Sequence, residues 1–203
     1  MEQLTNQATL RGSLLSLPEF SHDNHGKTFY RFYLEVPRLS GAVDILPVIT
    51  DIRTLESFDL SAGDMLTVTG QVRSHNINID AKRKLLVFIF ATSVVAKDGE
   101  PINEVVVEGP ICREPTYRRT PLGREICDLM LAVPRPFHRA DYLPCILWGR
   151  TAQEASQLHT RDRIRITGRM QSRIYTKITE HGAEERTTYE ISALSAQLSE
   201  IQS

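Results

Sequence analysis

No apolar run in the 203 residues approaches the roughly 18–20 positions that a helix needs to cross a bilayer, which excludes a membrane-spanning helix. Met1 to Asn6 hold no basic region followed by an apolar stretch, so no signal peptide is expected. Cysteine is scarce. Cys112, Cys127 and Cys145 form an odd set without C-x-x-C spacing, which fits reduced thiols in a cytoplasm better than a disulfide framework. Motifs of chemistry are missing as well: there is no H-E-x-x-H, no P-loop and no G-x-S-x-G. The six histidines are scattered without metal-ligand spacing, and Asp141, Asp162 and Glu190 make no spaced carboxylate set. The expectation is a protein with no metal, no cofactor and no enzymatic activity, whose cysteines pack as small apolar groups.

An excess of positive charge is also lacking. The formal net charge is −1, which at first argues against a polyanion partner. The average hides a difference in kind. Of the 14 Lys and Arg after residue 102, 13 are Arg and only Lys177 is Lys. The planar guanidinium fork pairs with phosphate oxygens in two places and stacks on bases, which an ammonium cannot do. Composition alone leaves a solvated, Arg-rich surface equally open.

What the sequence does have is a repeat. Asn6-Gln-Ala-Thr-Leu-Arg-Gly12 recurs as Asn103-Glu-Val-Val-Val-Glu-Gly109, an offset of 97 residues. In the same register Pro18 matches Pro115, Gly26 matches Gly123, and Val36-Pro37-Arg38 matches Val133-Pro134-Arg135. Asp44, Leu46, Pro47 and Ile49 match Asp141, Leu143, Pro144 and Ile146; after one inserted residue, Val68-Thr69-Gly70 matches Ile166-Thr167-Gly168. The chain reads as a tandem duplication of units 1–98 and 103–198, joined near Lys97-Asp-Gly-Glu-Pro101. Gly26 and Gly123 sit alone in hairpin-like turns, where a positive φ is the simplest reason for glycine.

Each unit is mostly strand. In the second, the strand-like runs begin at Val105 and continue at Ile126–Val133, Cys145–Trp148, Ile164–Met170 and Thr187–Ala193. Arg150 to Leu158 is Ala-rich without β-branched runs and predicts a helix; residues 51–58 fill the same slot in the first unit. Five uneven strands with one short helix after the third predict an all-β chain of two tandem OB-fold barrels. A small β-sandwich reads similarly at this level.

The second unit carries Asn103-x-Val105-x-Val107-x-Gly109, Pro115-x-Tyr117-x-x-Thr120-Pro121-x-Gly123 and Leu129-x-Leu131-Ala132-Val133. It continues with Asp141-Tyr142-Leu143-Pro144-Cys145-Ile146-Leu147-Trp148-Gly149-Arg150, Thr167-Gly168-Arg169-Met170-Gln171-Ser172-Arg173-x-Tyr175 and Thr188-Tyr189-Glu190-Ile191. In these blocks it resembles the bacterial single-stranded DNA-binding protein family. The resemblance implies sequence-tolerant binding of single strands by base stacking and backbone tracking, in DNA replication, repair or recombination. Four aromatic positions matter in that family; here they fall at Phe137, Tyr142, Trp148 and Tyr175. Arg119, Arg124, Arg135, Arg150, Arg169 and Arg173 lie beside them as candidate phosphate contacts. Tyr142 and Trp148 are six apart and share a face of an unbroken strand, which is either core or groove. Pro134 and Pro136 make the setting of Phe137 unusual.

The first unit resembles the family more weakly. Its register puts Ser40, Ile45 and Asp51 where the second unit has Phe137, Tyr142 and Trp148, and Asn76 to Asp80 near the place of Tyr175. The expectation is a degenerate barrel serving assembly or partner contact. Phe29, Tyr30, Phe32, Tyr33, Phe88 and Phe90 are then core or interface, and Lys82-Arg83-Lys84 a solvated hairpin tip. Family members carry a Gly/Gln-rich tail with an acidic tip, which Leu198 to Ser203 does not resemble; the likeness therefore extends to primosomal replication proteins of the B type. Four barrels are the family's usual assembly, so a homodimer is expected, in the cytoplasm and associated with the nucleoid. A primosomal adaptor acting through replication proteins, and an RNA-binding OB module, are the alternatives.

Overall fold

A computed structural model describes residues 5–55, 59–79, 82–179 and 182–199. The first half forms β1 (Asn6–Leu14), β2 (Glu19–Asn24), β3 (Lys27–Pro37), β4 (Val43–Asp51), a 3-10 turn (Ile52–Thr54), β5 (Met65–Ile79) and β6 (Lys82–Ala96). The second half repeats the plan with β7 (Ile102–Pro110), β8 (Thr116–Arg119), β9 (Glu125–Arg135), β10 (Arg139–Trp148), α1 (Gly149–Ala155), β11 (Arg163–Thr179) and β12 (Gly182–Leu198).

Strands run β2-β3-β4-β6-β5-β1 in the first unit and β7-β11-β12-β10-β9-β8 in the second. One parallel pair stands in each, β4 on β6 and β10 on β12, and the remaining pairs are antiparallel. The end of β1 closes onto β3 through Ser13–Glu35 and Leu14–Leu34; Ile111 bridges Leu131 at the corresponding place. These are OB-type barrels, two in tandem. Each has six strands rather than five, because the chain before β3 and β9 folds back as the short strands β2 and β8. Gly26 and Gly123, at φ +71° and +77°, turn those hairpins. The helix predicted after the third strand is present as α1. Its counterpart is a 3-10 turn capped by Asp51, since Ile52-Arg-Thr-Leu lacks the alanines of α1; residues 56–58 of that slot lie outside the described residues.

Alternation fills the barrels. Phe32, Leu34, Val36, Leu46 and Val48 face inward in the first, and Leu129, Leu131, Val133, Leu143 and Leu147 in the second, all essentially buried. Cys127 and Cys145 join the second core, and burial pushes the Cys127 thiol up to about 11. The repeated glycines mark where strands cross closely. A Cβ at Gly70 or Gly168 would overlap the carbonyl of Phe90 or Ser192, and both glycines sit at register shifts in their hairpins. The repeated asparagines have a reason too. Asn6 bonds both backbone groups of Val72, at 2.7 and 2.8 Å, and Asn103 does the same to Met170, at 2.7 and 2.9 Å.

The two barrels are joined antiparallel along β1 and β7, from Asn6–Val107 to Arg11–Ile102, making one twelve-stranded sheet. A matched pair of polar clamps locks the junction. Fully buried Asp44 accepts from Arg38 at 2.5 and 2.7 Å, from Arg169 at 3.3 Å, and from the N–H and hydroxyl of Ser172 at 2.7 and 3.2 Å. Ser172 Oγ in turn accepts from the N–H of Ile45. In the matching clamp, buried Asp141 accepts from the N–H of Ser74 at 2.9 Å, with Arg135 at 3.4 Å and Arg73 at 3.7 Å, and Ser74 Oγ accepts from the N–H of Tyr142 at 2.8 Å. The clamps are unequal: Oδ2 of Asp141 has no hydrogen-bond partner, and burial, the largest influence there, raises the Asp141 carboxyl above its ordinary range.

Candidate nucleic-acid interface

Pairing registers and alternation define the outer face of the second barrel. On β10 the odd residues Leu143, Cys145 and Leu147 fill the core, so Tyr142, Pro144, Ile146 and Trp148 point outward. Tyr142 and Trp148 therefore sit on the outer side, 45% and 36% exposed, roughly 20 Å apart at the usual strand rise. The indole N–H of Trp148 donates to Ser192 Oγ at 3.1 Å, which fixes the ring over β12. Tyr175, 40% exposed, stands on the long β11–β12 arm on the same side as Arg173 and Gln171. Phe137 is set apart. It is 89% exposed at the tip of the β9–β10 hairpin, at φ +63° followed by His138 at +54°, a conformation costly for residues with a Cβ and found where surroundings hold it.

The arginines divide. Arg173 lies on the groove face and pairs with the nearly buried Glu190 at 3.4 Å, while Gln171 donates to the same carboxylate at 2.7 Å. Arg135 and Arg169 turn into the junction clamps described above. Arg119 pairs with Glu125 at 3.0 Å and Arg150 with Glu154 at 2.9 Å, and both side chains are largely exposed. Arg124 is exposed on the Thr120–Arg124 turn. Sequence reasoning missed Arg118. The registers align Arg118, Ile126 and Trp148 in one row across β8, β9 and β10, with Arg118 held by Asp128 at 2.8 Å. It missed Ser192 as well, since neither residue's row can be seen without the strand register. Exposed rings with interleaved guanidiniums on one sheet face can stack bases and meet phosphates.

In the first barrel, Phe32 is core and Tyr30 packs against it, whereas Tyr33, Phe88 and Phe90 lie on the outer side, half-buried. Lys82 and Arg83 fall at the start of β6; residues 80 and 81 lie outside the described residues.

Two linked OB barrels, one presenting an exposed aromatic and Arg-bearing face, define the class. The model of the single-strand binding protein family matches residues 102–199, the span of the second barrel. The single-stranded DNA-binding protein of Oceanobacillus iheyensis is 32% identical over 95 residues, 43% of this chain and 56% of that protein. That of Halalkalibacterium halodurans is 35% identical over 81 residues, 36% of this chain and 48% of that protein. The chain thus spans about half the length of the curated relatives it matches. The wild-type single-stranded DNA binding protein of Thermus aquaticus superposes with a TM-score of 0.76 at 23% identity, covering 96% of this chain and 93% of that one. That likeness extends the shared fold over both barrels.

Proposed function

We propose that the protein binds single-stranded DNA with little sequence preference, in replication, repair or recombination, and does no chemistry on it. The observation that carries this is the exposure of Tyr142 and Trp148 on one outer face of β10, next to Arg118 and Arg173. Every base has a π-face, so such platforms accept any sequence, each worth roughly 1–3 kcal/mol. The test is a titration with an oligo-dT at low and moderate salt, using Trp148 as reporter and a labelled oligomer for Tyr142→Ala and Trp148→Ala. Salt-sensitive binding weakened by both substitutions supports the reading. Binding indifferent to both overturns it, and so does nuclease turnover by the pure protein.

A second reading, a primosomal adaptor working through protein contacts, is favoured by the number of arginines already held by carboxylates, among them Arg118, Arg119, Arg150 and Arg173. We infer a homodimer of four barrels. Exposed Val95 and Leu194 on β6 and β12 support an uncovered contact surface, and a monomer by light scattering at micromolar concentration overturns it. The same stacking face accepts RNA; competition between dT and rU oligomers decides the preference. Among the described residues no helix is long and apolar enough to cross a membrane, and the work proposed places the protein with the DNA, in the cytoplasm.

A further inference from the structure

The indole of Trp148 carries a single polar group, its ring N–H, which can only donate. That donor is occupied within the protein, by Ser192 Oγ at 3.1 Å. The strand registers set up the contact. β10 and β12 run parallel with Cys145 beside Ile191 and Ile146 beside Ser192, so Trp148, two residues farther on, reaches back diagonally to the hydroxyl. Ile191 points into the core, which leaves Ser192 on the same outer side as Trp148. Ser192 is itself buried, whereas the indole remains partly exposed. The first barrel has neither partner. In its parallel pair Val48 lies beside Ile89, which puts Asp51 in the place of Trp148 and Phe90 in the place of Ser192. Its ring thus stands in the middle of the outer face, on β6, while that of the second barrel stands at the end of β10. Donor and acceptor are both present in one barrel and both missing from the other.

We propose that Ser192 is a positioning residue that makes Trp148 indifferent to base identity. The proposal rests on single-strand binding by the second barrel and deepens it. Stacking engages the π-face that every base shares, whereas hydrogen bonds to base edges discriminate among bases. Thymine presents the carbonyl oxygen O4 where cytosine presents an amino group. An indole N–H free to turn toward a neighbouring base would favour the first over the second. Ser192 takes up that donor and fixes the plane of the ring, so Trp148 offers a flat π-face and nothing that reads an edge. A buried hydroxyl suits this role, because it accepts the bond without presenting a polar group of its own to the strand.

Trp148 is the single tryptophan of the chain, so its emission reports on the bond directly. The experiment compares the intact protein with Ser192→Ala, Ser192→Thr, Trp148→Phe and the double variant Ser192→Ala/Trp148→Phe. Affinities are read with labelled dT and dC oligomers of about 16 nucleotides. Phenylalanine keeps a π-face and has no donor. Ser192→Ala should shift the Trp148 emission to the red and strengthen its quenching by acrylamide. It should also raise the preference for dT over dC about 3-fold or more, within the roughly 2- to 12-fold that one net hydrogen bond is worth. Ser192→Thr retains the hydroxyl and should return both readouts to those of the unaltered protein. In the Trp148→Phe background the alanine substitution should leave the preference unchanged, which separates a role through the indole donor from a merely structural one. An unshifted emission in Ser192→Ala overturns the bond. A shifted emission with an unchanged dT-to-dC ratio, or an equal change of ratio in the Trp148→Phe background, overturns the role in specificity; dT still bound then leaves single-strand binding intact. Failure of the unaltered protein to bind either oligomer overturns single-strand binding, and this inference with it.

Discussion

Asp44 and Asp141 occupy equivalent places in the repeat, yet the junction treats them unequally, and replacing each by Asn should expose the difference. Asp44 accepts five hydrogen bonds, including a two-point contact from Arg38 and one from Arg169. Asp44→Asn keeps one oxygen for Ser172 but leaves two buried-side guanidiniums without their counter-ion. Removing one partner of a buried pair costs about 3–5 kcal/mol. For a chain of this size each kcal/mol moves the melting temperature by about 2–4 °C, so the expected fall is roughly 6–20 °C. Asp141 has an oxygen with no hydrogen-bond partner, and its arginines stand farther off. Its carboxyl is raised in the folded state, chiefly by burial. Between the unfolded and the raised folded value the native state holds the extra proton, so this group's contribution is present at acid pH and lost as pH rises through the folded value. Asn mimics the protonated carboxyl, and Asp141→Asn should cost about 1 kcal/mol or less at neutral pH. Calorimetry or circular dichroism melts of both variants at pH 7 and pH 4 make the comparison. Equal losses at pH 7, or a larger loss for Asp141→Asn, would refute the reasoning.

Glu190→Gln removes the carboxylate that occupies Arg173 on the groove face while preserving an acceptor for Gln171. It should tighten single-strand binding and steepen the salt dependence by about 0.7 in log–log slope, read from titrations at several salt concentrations. Gly168→Ala pushes a methyl onto the Ser192 carbonyl and should cost about 1–3 kcal/mol; an unchanged melting temperature would contradict the close approach. At Glu108, burial alone raises the carboxyl, but hydrogen bonds from Arg163 and Arg165 outweigh it and hold it below its ordinary value. Its stabilisation is present above the ordinary carboxylate range and disappears as pH falls through the lowered value. Glu108→Gln should therefore flatten the acid limb of the stability–pH curve.

The fold was legible because the repeat, the alternation of Leu129, Leu131 and Val133, and the glycines at crossings are local signals. Tyr142 and Trp148 were legible as one face, but only the inward Leu143, Cys145 and Leu147 decide that this face points outward rather than into the core. The partners of the arginines were not legible. Glu190 reaches Arg173 across a hairpin, and Asp44 reaches Ser172 from the other barrel, 128 residues away. Phe88 and Phe90 were hidden for a different reason. They lie in the unbroken apolar run Leu85-Leu-Val-Phe-Ile-Phe90, where outward rings alternate with inward Val87 and Ile89, so hydrophobicity shows no period.

The β1–β7 seam places two related barrels as a symmetric pair, but within one polypeptide. A pair made from separate copies dissociates on dilution and receives every substitution twice, once on each side of its axis. Here the short Lys97–Pro101 connection keeps the halves at a millimolar-scale effective concentration whatever the protein level. Each half is also free to change alone. The unsatisfied oxygen of Asp141 beside the saturated Asp44, and rings moved from the margin of one groove to the centre of the other, are differences that an obligate two-fold partner would have been forced to share.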